Sequence, residues 1–207
     1  MTDPNAPRVF RLRSTFIERD RLAMLSHLEV AHALERTVRR AELPFAVSQG
    51  FSPHMKIAFG AALPVGVGST CEVFDLQLRE YVAAGKALEA LQLASVPDLM
   101  VQECHYIENV APAASVAFPF STYEVRFDAP VGEIVVPETI TVVRKRKEKV
   151  LVVSEFLVEP FAVEGNRATF ALEAKPTGSL RPDVLLQNCE CPADVVSITR
   201  IAQRATL

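Results

Sequence analysis

The groups best suited to chemistry crowd into residues 25–68 of this 207-residue chain. His27 and His54 are imidazoles whose ordinary pKa lies near neutrality, so the pair could serve as general acid and base in cleaving RNA. Arg36, Arg39, Arg40 and Lys56 are cations of the kind that hold phosphate. Gln49 can bond a base edge, and an exposed Phe51 would offer a base a stacking face. Held without chemistry, the same eight side chains make a nucleic-acid-binding surface.

These residues need elements to position them. Ser26 with Glu29 three residues later is a capping-box pattern, so a helix is expected from His27 to about Glu42, ending before Pro44. At 100° per residue, Val30, Ala31, Leu34, Val38 and Ala41 form an apolar stripe headed by His27. His32, Arg36, Arg39 and Arg40 lie opposite, with Glu35 supporting Arg39 from one turn away. His27 thus sits at a helix N-terminus, which attracts anions and disfavours imidazolium. Residues 50–54 (GFSPH) are a Gly/Pro loop that fixes side chains for contact, and 56–63 resume as a strand. One continuous site requires the 49–56 loop to fold back over the helix N-terminus.

The rest of the chain supplies the frame. Residues 8–17 alternate as a strand with Arg11 and Arg13 on an outward basic face. Strands at 56–63, 70–78 and 99–108 and a helix at 82–94 complete the order βαββαβ, a ferredoxin-like arrangement. Residues 109–120 are Pro/Ala-rich and read as a linker. Strands at 121–127, 139–144, 150–158, 168–174 and 195–202, a helix at 178–188, and an abbreviated helix or irregular crossover at 130–137 make a distorted second copy. The expected fold is therefore α+β: two ferredoxin-like βαββαβ halves in tandem, 1–108 and 121–207, the second distorted.

Composition narrows the function classes. Hydrophobic content of 49% and charged content of 23% suit a packed core. The net charge of −3 hides an asymmetry: residues 1–60 hold nine Lys+Arg against six Asp+Glu, a basic segment on an acidic body. The polar, Pro-interrupted start and the lack of a long apolar run lead us to expect a cytoplasmic protein with no membrane partner. Residues 144–149 (RKRKEK) read as a solvated basic hairpin tip. Cys189 and Cys191 lie too close together for usual zinc spacing, so no metal is expected. Walker A, GxGxxG and Gly-x-Ser-x-Gly patterns are missing, and no Cys-x3-Cys-x2-Cys run could carry the radical-SAM iron–sulfur cluster. No cofactor is expected of the chain itself.

Four stretches carry a family likeness: 25–29 (LSHLE), 34–40 (LERTVRR), 48–56 (SQGFSPHMK) and 63–66 (LPVG). They resemble the radical SAM-linked domain, an uncharacterised bacterial family found as a separate protein or fused behind a radical SAM enzyme. Residues 123–125 (YEV) and 180–183 (LRPD) fit it more loosely. The resemblance implies a partner, a separately encoded radical SAM enzyme that supplies the cluster, more than it implies a reaction. The combined expectation is an accessory subunit, not an enzyme, binding RNA or an RNA-bearing substrate through His27, Arg36, Arg39, Arg40, Gln49, Phe51, His54 and Lys56. The alternatives are a metal-independent endoribonuclease using His27 and His54, and a protein-interaction module without nucleic acid.

Overall fold

The computed structural model describes residues 9–144, 147–176 and 178–207. It is a mixed α+β fold that divides into two compact units. The first comprises the described residues up to Leu63 together with Cys71–Ala117; the second comprises Pro64–Thr70 and Phe118–Leu207.

The first unit contains β1 (Phe10–Glu18), α1 (His27–Arg40), β2 (Ile57–Phe59), β3 (Val67–Leu78, from Cys71 onward in this unit), α2 (Ala84–Ala94) and β4 (Val101–Ile107), then the single turn α3 (Ala114–Ala117). Its strands lie in the order β2-β3-β1-β4. β1 pairs antiparallel with β4 from Arg11↔Ile107 to Thr15↔Glu103, and β2 pairs antiparallel with β3 from Ile57↔Leu76 to Phe59↔Phe74. Because side chains alternate along a strand, Leu12 and Phe16 of β1 and Phe74, Leu76 and Leu78 of β3 join one core with Val30, Leu34 and Val38 of α1 and Ala87 and Leu91 of α2.

Helix α1 starts where its cap dictates. The Ser26 N–H donates to Glu29 Oε2 at 2.8 Å, and Ser26 Oγ accepts from the Glu29 N–H at 3.4 Å. The helix ends at Arg40, and Glu42 turns the chain with φ 53°, two residues before Pro44. The buried stripe is Val30, Leu34, Thr37 and Val38. Thr37 was not expected there; its hydroxyl is satisfied by donating to the Ala33 carbonyl at 3.2 Å.

The expected outward basic face of β1 is not outward. Arg13 is 7% exposed, and its Nε and Nη2 donate to Asp75 of β3 at 2.7 and 2.9 Å. Arg11 Nη2 reaches the same carboxylate at 2.7 Å. Both arginines also bond carbonyls of residues 109–112, and the Ala114 N–H donates to Asp75 Oδ2 at 3.1 Å. Burial alone would raise the Asp75 pKa; the hydrogen bonds and charges of Arg13 and Arg11 outweigh it and hold the carboxyl below its usual range. The segment after β4, read from composition as a linker, is thus pinned in part by this cluster.

The second unit has β5 (Phe120–Phe127), β6 (Thr139–Arg144), β7 (Lys147–Val152), β8 (Leu157–Glu164), β9 (Arg167–Lys175), the two-residue β10 (Gly178–Ser179), α4 (Pro182–Asn188) and β11 (Val195–Arg204). Its main strands lie in the order β8-β9-β5-β11, with β10 also on β9 and residues 67–69 of β3 parallel to β11. No helix is assigned at 130–137; instead Val135 and Glu190 form an isolated bridge. β6 and β7 make a separate two-stranded hairpin, from Thr139↔Val152 to Arg144↔Lys147. Lys145 and Arg146 of the expected basic tip lie outside the described residues, as do residues 1–8, including Arg8 of the first expected strand. Among the described residues no helix is long and apolar enough to cross a membrane.

Candidate functional site

The polar groups of residues 25–68 fall into two places. The first is the head of α1. His27, the first helical residue, sets its ring edge-on to Phe59 at the end of β2, with centroids 5.7 Å apart and planes at 87°. Both line a recess with Glu18, Leu25, Val30 and Glu72. It holds about 20 Å³, room for about one water. Glu18 and Glu72 are 4% and 5% exposed. Sequence reasoning passed over both carboxylates; the signal for Glu72 was its place on the alternating face of the strand that carries Phe74, Leu76 and Leu78.

The second place is a short tip between α1 and β2. Residues 44–47 wedge against the end of β3: the Ala46 N–H donates to the Gln77 carbonyl at 2.7 Å and the Arg79 N–H to that of Pro44 at 2.8 Å. Val47 bridges Met55, the Ser48 N–H donates to the His54 carbonyl at 2.8 Å, and the His54 N–H donates back to Ser48 Oγ at 3.0 Å. These bonds close a small loop whose crown is Gly50, at φ 131°, and Phe51. Phe51 is wholly in solvent, at 113% relative exposure. Gln49, His54 and Lys56 are exposed beside it, and no acidic residue occurs between Glu42 and Glu72.

The two histidines sit on different pieces of structure. His27 touches Phe59, the last residue of β2, and His54 lies before β2, in the loop closed by the Val47–Met55 bridge. General acid–base work needs hydrogen-bond reach, directly or through one water. The loop leads off the end of β2 that pairs with Leu76, where residues 45 and 46 also bond β3, whereas His27 meets the other end at Phe59.

The arginines of α1 differ among themselves. Arg40 Nη2 donates to the carbonyl of Ala94 at 2.6 Å, where it caps the last turn of α2, and to Thr37 Oγ1 at 3.4 Å. Arg39 pairs with Glu35 at 3.4 Å. Arg36 is exposed and makes no hydrogen bond or ion pair among the described residues. Also among the described residues, no group of three or more His, Cys, Asp or Glu is placed to hold a metal. Cys189 is half-buried at the end of α4, and its thiol is pushed up to about 11, first by burial and then by Cys191.

What these observations define is a mixed α+β protein with an aromatic, acid-free tip. By sequence it matches the family described as uncharacterized proteins conserved in bacteria (DUF2344) over residues 11–182, and the chain belongs to that family. No curated protein matches it.

Proposed function

We propose that the chain is a noncatalytic, cytoplasmic accessory subunit that holds RNA, or an RNA-bearing substrate, for a separately encoded radical SAM enzyme. The observation that carries the RNA part is the bonded tip with Phe51 in solvent and Gln49, His54 and Lys56 around it. A full phenyl ring kept in water by a hydrogen-bonded loop suits a surface that is covered by a ligand, since covering a Phe is worth about 1.5–3 kcal/mol. The acid-free surroundings favour an anionic ligand. Arg36, Arg39 and Arg40 follow at the end of α1 that leads into the tip and extend the cationic surface. His27 lies apart from it. The radical SAM partner rests on the sequence resemblance of residues 25–66, and it would carry the cluster whose cysteine run this chain lacks.

The frame of the proposal is two ferredoxin-like halves, 1–108 and 121–207. Its support is the strand order. In the first unit β1, β2, β3 and β4 lie as 4-1-3-2, the order of that fold; in the second, β5, β8, β9 and β11 repeat it, with the β6–β7 hairpin where the first helix would stand. Of the two rival activities, a His27/His54 ribonuclease is disfavoured by the separate placement of the two side chains, and a purely protein-binding role is separated by experiment.

The test is anisotropy of a labelled single-stranded RNA titrated at several salt concentrations. Each phosphate contact contributes about −0.7 to the slope of log K against log[salt] on single strands. Arg36→Ala combined with Lys56→Ala should weaken binding and flatten the slope by about 1.4, if each makes one contact. Unchanged affinity and slope would overturn the RNA reading and leave the surface to a protein partner.

A further inference from the structure

We infer that the 48–54 tip selects an unpaired nucleotide, with its base stacked on Phe51, and does not grip duplex RNA; this rests on the RNA reading above. The ring stands at the crown of a loop closed by the Val47–Met55 bridge and the two Ser48–His54 hydrogen bonds, and none of the described residues covers it. Bases inside a duplex already have both faces stacked, so a single protruding ring finds a free face only at a loop, bulge or end. Duplex RNA is instead recognised through many phosphate and 2′-hydroxyl contacts spread along a groove. The tip has no such array. Lys56 is the only Lys or Arg between Arg40 and Arg79. Its neighbours suit a single nucleotide: the Gln49 amide both donates and accepts and so can bond a base edge, while Lys56 and the His54 imidazole reach a phosphate. Binding at the tip is therefore led by stacking, with a shallow salt slope of about −0.7 from one phosphate contact there.

The chain contains no tryptophan, so Phe51→Trp introduces a single tryptophan at the crown, excited selectively over the three tyrosines. The experiment compares three RNA probes of one sequence: single-stranded, blunt duplex, and duplex with a one-nucleotide bulge. The single-stranded and bulged probes should quench the emission of Phe51→Trp and bind tightly, while a long blunt duplex, whose only free base faces are its two end pairs, binds more weakly and quenches far less. Phe51→Ala should weaken single-strand binding about 5- to 150-fold, the range for losing one stacked base, while its thermal midpoint stays at the wild-type value. Tight binding of the blunt duplex, or single-strand binding that neither quenches Trp at 51 nor depends on Phe51, would overturn this inference while sparing RNA binding elsewhere on the chain. Failure of all three probes to bind would overturn the RNA reading itself.

Discussion

Phe51, His54 and Cys189 show how much a neighbourhood decides about a residue. Phe51 and His54 share one loop, yet the backbone of His54 helps build that loop while the ring of Phe51 is left in solvent by the described residues. The residue types of the tip were legible in the sequence, and so was its Gly/Pro punctuation. Exposure was not, because an apolar residue between Gly50 and Pro53 fits packing under the loop as well as display above it. Cys189 gives a prediction at this scale. Its thiol lies above its ordinary 9.0, at about 11, because burial and then Cys191 disfavour the thiolate. Iodoacetamide at pH 8 should therefore label Cys189 more slowly in the folded chain than in urea, as followed by mass spectrometry. The raised value also fixes a sign for stability. The fold favours the protonated thiol, so its contribution is whole below pH 9 and is lost as the pH climbs toward 11.

At the scale of elements, α1 and β1 were read with different success. The Ser26–Glu29 box announced where α1 begins, because capping is a local arrangement of four residues. Ser26→Ala should lower stability by about 1 kcal/mol in urea denaturation. Strand β1 was legible as a strand, but the destination of its arginines was not. Alternation says that Arg11 and Arg13 share a face; it does not say that Asp75, on a strand that pairing brings beside them, waits there. Removing that carboxylate deletes the acid that two guanidinium groups share in a mostly buried place. Asp75→Ala should cost about 3–5 kcal/mol by the same measurement. Because the Asp75 pKa is lowered in the fold, its contribution is present above the ordinary carboxylate value, near 3.9, and is lost as the pH falls below that through the folded-state value. Wild-type stability should drop in that acid window more steeply than that of Asp75→Asn.

For the molecule as a whole, the first unit was readable because its strands alternate cleanly and its helices are bounded by Ser26, Pro44 and Pro97. In the second, β5, β6, β9, α4 and β11 were legible to within a few residues, but the division of the expected strand 150–158 into β7 and β8 was not, for physical reasons. Strand β8 contains Pro160, which reads as a breaker; the structure accommodates it by two register shifts against β9, on a strand with β9 as its one partner. The crossover at 130–137 holds no helical period, and the hairpin after it was legible as a basic tip between two strands but not as a separate two-stranded sheet. What the two units share is a strand order, which is a property of long-range pairing and leaves little trace in one sequence. The proposed partnership belongs to this scale too. Co-expressed with a radical SAM enzyme encoded beside it, the tagged chain should retain that enzyme through purification, and ribonuclease treatment should leave the protein pair intact while releasing RNA.

The central claim is that the working surface is the 48–54 tip and not the histidine at the head of α1. Single-stranded RNA affinity of Phe51→Ala and His27→Ala, each measured against wild type, tests it most directly. The account predicts a loss of about 5- to 150-fold for Phe51→Ala and none for His27→Ala. Loss in His27→Ala with full affinity in Phe51→Ala would contradict it.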